Sequence, residues 1–139
     1  MRLAILSTLL LTALSNAQNW PQAGGPNGNF VLENASAPKE WSVTRNEGIA
    51  WKRSLPELGQ SSVTTWGDKL FFAINKPVQK DTVLSKDVIA YCCSATDGSI
   101  LWTREIPGIY PLKIGGSWGD SSGLPAVTNG EQVAFFNAS

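Results

Sequence analysis

The sequence predicts an all-β fold built from short antiparallel strands. Three observations carry that expectation. Turn-forming residues are dense, with 13 glycines and 8 prolines among 139 residues. Apolar residues come in runs too short for helices, several of them alternating at the period of two that a strand requires. Beyond the N-terminal stretch, no segment carries an apolar stripe at helical spacing.

The elements follow in chain order. Met1-Arg2 is a basic start, and residues 3–14 form an apolar run broken only by Ser7 and Thr12. Ser15-Asn16-Ala17 then offers small residues where a signal peptidase reads, so residues 1–17 are expected to be a signal peptide. The run is short for a bilayer span. The expected location is therefore exported, periplasmic or secreted, with no membrane span after signal cleavage. The residue directly after the cleavage point is Gln18, not cysteine, which argues against a lipid anchor. Residues 18–47 read as an extended lead-in, because the prolines and glycines between Asn19 and Asn29 exclude a helix.

Residues 48–139 carry the strand pattern. Ile49, Trp51 and Leu55 alternate as one face of a first strand, which Pro56 and Gly59 end. A strand over residues 62–65 leads into the turn Trp66-Gly67-Asp68-Lys69. Residues 70–74, Leu-Phe-Phe-Ala-Ile, form a strand apolar on both faces. Residues 76–87 are polar and contain Pro77, the pattern of an inserted hairpin loop. Residues 88–93 form the next strand, residues 94–98 a tight turn, and residues 99–104 a fourth strand that Pro107 and Gly108 stop. A glycine-serine loop spans residues 115–123. Two last strands, 124–127 and 132–137, flank the turn Thr128-Asn129-Gly130-Glu131.

Short strands at this spacing fit a sandwich, a barrel or a propeller. An internal repeat chooses among them. Residues 62–72 and 125–135 both read strand, glycine-acidic turn, apolar strand, at an offset of 63 positions. One four-stranded blade usually takes about 40 to 50 residues. The insertion at residues 76–87 accounts for much of the excess.

Charge and composition exclude several function classes. Eleven basic side chains balance eleven acidic ones, so no nucleic-acid partner and no anionic membrane surface is expected. Histidine is absent. Asp68, Asp97 and Asp120 each sit beside glycine or serine in a turn, where turn geometry accounts for them. Cys92 and Cys93 are adjacent. They lack the spacing of a zinc site, and strand alternation sends their thiols to opposite faces, as inert core residues. Residues 115–123 lack the lysine and the helix of a phosphate-binding loop. The tryptophans read as core and contact residues, with Trp118 in the glycine loop the one expected to face a ligand. Asn34-Ala35-Ser36 and Asn137-Ala138-Ser139 have the form of glycosylation sequons.

The stretch Ala90-Tyr91-Cys92-Cys93-Ser94-Ala95-Thr96-Asp97-Gly98-Ser99-Ile100-Leu101-Trp102 resembles the pyrroloquinoline-quinone-type propeller repeat. Gly98 and Trp102 match that repeat's glycine and tryptophan. Ser94 stands where the family usually has aspartate, and Asp97 where it has threonine. The flanks resemble the same family: Trp20-Pro21-Gln22 with Gly25, Pro26 and Gly28, then Ile49-Ala50-Trp51-Lys52, then Trp66-Gly67-Asp68-Lys69-Leu70-Phe71. The resemblance implies a β-propeller of four-stranded antiparallel blades, of which only the first one to two blades are present. Ser94, Asp97, Gly98, Trp102, Gly67 and Asp68 are then its structural repeat residues, and Trp102 packs between blades. A propeller needs about four to eight blades, so the sequence is expected to be a piece of a longer protein.

Two functions follow from the resemblance. The first is an exported binding or assembly scaffold with a protein partner in the cell envelope and no catalytic residues of its own. The second is the N-terminal part of a quinoprotein alcohol or sugar dehydrogenase. Its cofactor, pyrroloquinoline quinone with calcium, would belong to a full-length protein carrying the remaining blades. The lack of histidine and of any catalytic cluster favours the scaffold.

Overall fold

The computed structural model describes residues 18–36, 38–78, 84–110 and 120–139. Six strands form two sheets: β1 (Thr64–Trp66), β2 (Lys69–Asn75), β3 (Val88–Ser94), β4 (Ile100–Ile106), β5 (Val127–Thr128) and β6 (Val133–Ala134). β1 to β4 make one antiparallel sheet in sequence order, and β5 and β6 make a second of two strands. The fold is all-β, as the sequence predicts.

The central strands are β2 and β3, and their sequences explain their position. β2 reads Lys-Leu-Phe-Phe-Ala-Ile-Asn, with apolar side chains on both faces, so neither face can be left to water. It pairs over its whole length with β3, from Lys69 opposite Ser94 to Asn75 opposite Val88. Alternation then sorts the core into two clusters. Phe71 and Cys92 are buried with Ala126 on one face, where Trp66, Val133 and Phe135 pack against them. Ile74, Tyr91 and Cys93 are buried on the other, with Leu70, Phe72 and Ile89. The Phe72 and Tyr91 rings stack there at 5.2 Å. The adjacent thiols thus serve opposite cores, as strand alternation requires.

β4 is the outer strand. Its register slips between Cys92 and Cys93, so that Ile100 and Trp102 face consecutive β3 residues and Leu101 is left without a partner. Such a bulge increases local twist at a sheet edge.

The expected repeat takes a definite form. In the first hairpin Thr64 pairs with Phe71 and Thr65 with Leu70. In the second, Val127 pairs with Ala134 and Thr128 with Val133. Each residue of the second hairpin lies 63 positions after its counterpart, so the two hairpins share one register. They also touch. The buried Thr64 hydroxyl donates to the Ala126 carbonyl at 2.7 Å.

Three segments differ from expectation, the first being the strand expected over residues 124–127, of which only Val127 lies in a strand, β5. Residues 49–55 form no regular strand. Side chains attach this segment instead of a backbone ladder: Trp51 Nε1 donates to the Ala95 carbonyl at 2.8 Å and Arg53 Nε to the Gly98 carbonyl at 2.5 Å. The last strand is also shorter than residues 132–137. Beyond Ala134 the chain leaves the ladder, and Asn137 Nδ2 donates to the Lys86 and Ile106 carbonyls. The lead-in is bound more firmly than an extended tail. Trp20 and Thr65 exchange backbone hydrogen bonds of 3.0 and 2.9 Å, and the next carbonyl, Pro21, accepts from the Thr128 amide. Residues 20–21 therefore clip the two sheets together.

Candidate binding site

The turn between β3 and β4 holds three of the residues expected to mark a repeat, Ser94, Asp97 and Gly98. Ser94 Oγ accepts from the Thr96 amide and Asp97 Oδ1 from the Ser99 amide at 2.9 Å. The Gly98 amide closes the turn onto the Ser94 carbonyl, and Gly98 itself has φ of 69°, a conformation glycine adopts without steric cost. The bonds from Ser99 hold the Asp97 carboxyl below its ordinary range. Ser94 and Asp97 thus both supply hydrogen-bond acceptors the turn needs.

Gly67 and Asp68 form the neighbouring turn, between β1 and β2. Gly67 has φ of 57°, and its amide donates to Asn19 Oδ1. The two turns are joined, because the Ala95 amide donates to the Asp68 carbonyl at 2.7 Å. Five of the six repeat residues therefore lie at one end of the sheet. Trp102 lies apart, on the face of Phe71. Its ring centroid is 6.3 Å from that of Phe71 and 6.0 Å from that of Phe135, which follows β6. The tryptophan sits at the seam between the two sheets and remains partly exposed.

A second use of tryptophan was hidden from sequence reasoning. Three indoles lie against three turn glycines of positive φ: Trp20 on Gly25, Trp51 on Gly98 and Trp66 on Gly130. A Cβ added at Gly98 would stand 2.5 Å from the Trp51 ring. Each glycine lets its turn approach the flat ring closely. The sequence shows both residue types but not their pairing, since Trp51 and Gly98 are far apart along the chain. Arg53 was missed for the same reason.

Beneath residues 51–63, on the second face of β2, lies an open-mouthed cavity of about 240 Å³. Trp51, Arg53, Leu70, Phe72, Ile74 and Cys93 are among its walls. Burial raises the Cys93 thiol pKa, against an opposing pull from the Arg53 charge. Burial likewise raises that of Cys92. Both cysteines are unbridged and held in the unreactive thiol form.

Among the described residues, Asp97 and Asp120 do not fit the calcium of a quinoprotein site. Asp97 is spent on its own turn, and Asp120 Oδ1 accepts from both the amide and the hydroxyl of Ser122. Among the described residues no cluster of three or more histidine, cysteine, aspartate or glutamate side chains could hold a metal ion. Trp118 and residues 115–119 of the glycine loop lie outside the described residues, as do residues 79–83 of the expected insertion and residues 1–17. Among the described residues no helix is long and apolar enough to cross a membrane. In comparisons with known proteins, no family model, no curated protein and no solved structure matches the chain.

Proposed function

We propose that the chain is an exported section of a β-propeller of the pyrroloquinoline-quinone-repeat type, acting as a scaffold that binds a protein partner in the cell envelope. The observation that carries this reading is the shared register of the two hairpins, 63 residues apart and packed against each other through Thr64 and Ala126. β1 to β4 would be one blade and β5–β6 the inner hairpin of the next. A blade-to-blade seam filled by Trp102, Phe71 and Phe135 accords with the wedge role of tryptophan in such repeats. A scaffold suits the use made of Asp97 and Asp120, whose carboxylates accept hydrogen bonds within their own turns.

The test pairs two measurements on the full chain in envelope-bearing cells. A photo-crosslinking residue placed at Leu101, on the exposed outer strand, should give one discrete envelope-protein adduct. Separately, melting is followed with pyrroloquinoline quinone and calcium. A calcium-dependent rise in Tm with dye-coupled alcohol oxidation would overturn the scaffold reading in favour of the dehydrogenase. Absence of any adduct from several exposed strand positions would overturn it as well. N-terminal sequencing of the mature protein tests export, with Gln18 expected as the first residue.

A further inference from the structure

Residues 51–63 cover the β2 face that carries Leu70, Phe72 and Ile74 but leave the space beneath unfilled. The cavity there measures about 240 Å³. A water occupies about 30 Å³ of liquid, so this space is several waters large. Its walls are mostly apolar and give water few partners. Concave apolar walls with a small number of placed polar groups are the makeup of small-molecule sites.

Among the described residues that line the cavity, Arg53 is the one with a charge, and none is a carboxylate. The guanidinium is held in place by its Nε bond to the Gly98 carbonyl. A guanidinium carries five N–H donors in a fixed fork that matches a carboxylate. The Trp51 wall is anchored on the same turn, through Nε1 to the Ala95 carbonyl. Both polar-tipped walls are therefore positioned before any ligand arrives, which lowers the ordering cost of binding.

We propose that this cavity binds a small apolar carboxylate of about ten non-hydrogen atoms, a size below that of the drug-sized ligands that fill larger pockets. Its alkyl chain or ring would lie on Leu70, Phe72 and Ile74, and its carboxylate on Arg53. The site concerns a free small molecule and stands apart from the envelope partner.

Calorimetric titration of the full chain with octanoate, acetate and neutral n-octanol tests this, with the change in tryptophan emission that Trp51→Phe abolishes as a second readout. Octanoate should saturate a single site. Acetate should bind at least about tenfold more weakly, because it lacks the methylenes that bury against the sheet. Arg53→Gln should weaken octanoate by roughly threefold or more while leaving n-octanol within about twofold, as expected for loss of a partly exposed ion pair. Arg53→Lys, which keeps the charge without the fork, should fall between. The proposal is overturned if folded chain shows no saturable octanoate binding, as it would if a protein segment fills the cavity instead. It is equally overturned if octanoate and acetate bind alike, or if Arg53→Gln leaves octanoate unchanged.

Discussion

At the scale of single residues, the three hairpin glycines separate backbone strain from steric contact. Gly67, Gly98 and Gly130 all have positive φ, which costs an L-residue about 1–2 kcal/mol. Nothing lies within 4 Å of a Cβ built on Gly67, whereas the Trp51 ring blocks one on Gly98 and the Trp66 ring one on Gly130. Gly67→Ala should therefore destabilise by about 1 kcal/mol. Gly98→Ala and Gly130→Ala should each cost about 3 kcal/mol, because the indole must also move. Urea unfolding of the three variants checks the ranking. The cysteines give a pH prediction. Burial raises the folded-state pKa of Cys92 and Cys93 above the ordinary 9.0. An unfolded chain therefore releases these protons at lower pH than the folded one. The contribution is complete below pH 9 and is lost as pH rises through the folded pKa. Unfolding midpoints measured from pH 7 to 10 should fall above pH 9, and Cys92→Ala-Cys93→Ala should flatten the fall. Iodoacetamide should label neither thiol in native protein and both in urea.

At the scale of elements, strand identity was legible where the pattern depends on local alternation. β2, β3 and β4 lie where the apolar runs put them, and the turns at Gly67, Gly98 and Gly130 follow from glycine beside acidic residues. Residues 49–55 misled for a physical reason. Ile49, Trp51 and Leu55 alternate as a strand would, but this segment lies over a cavity and is tied down by side chains. Periodicity reports a face to bury, not a ladder to join. The joint between the hairpins could not be read from sequence, because Thr64 looks like any strand threonine. Its hydroxyl is buried and donates to Ala126 across a separation of 62 residues. Thr64→Val preserves the shape and strands that carbonyl, so it should cost about 1–3 kcal/mol. Thr65→Val, one position along, removes a hydroxyl that accepts from the Trp20 amide, an amide that keeps its bond to the Thr65 carbonyl. It should cost less than about 1 kcal/mol. Thermal melting of the pair decides whether the seam rests on Thr64.

At the scale of the whole molecule, the described surface is unevenly finished. β4 exposes Ile100, Leu101 and Trp102 together, and among the described residues no strand pairs with its outer edge. Exposed apolar edge strands invite pairing with other chains, and charge suppresses it. Leu101→Lys should reduce concentration-dependent light scattering while changing stability by no more than about 0.5 kcal/mol. The clip formed by Trp20 and Pro21 has a consequence in time. It ties the beginning of the described chain to β1, 45 residues on, and to Thr128 near its end. Loops that long are costly to close before other contacts have formed, and non-local pairing slows folding. The β2–β3 ladder should assemble first and the clip close last. In a pulse-labelled exchange experiment during refolding, the amides of Tyr91 and Cys92 would then gain protection before those of Trp20 and Thr128. Until that closure the two sheets are held by their shared core and the Thr64–Ala126 bond, so a protease present during refolding would find the N-terminal strap still open.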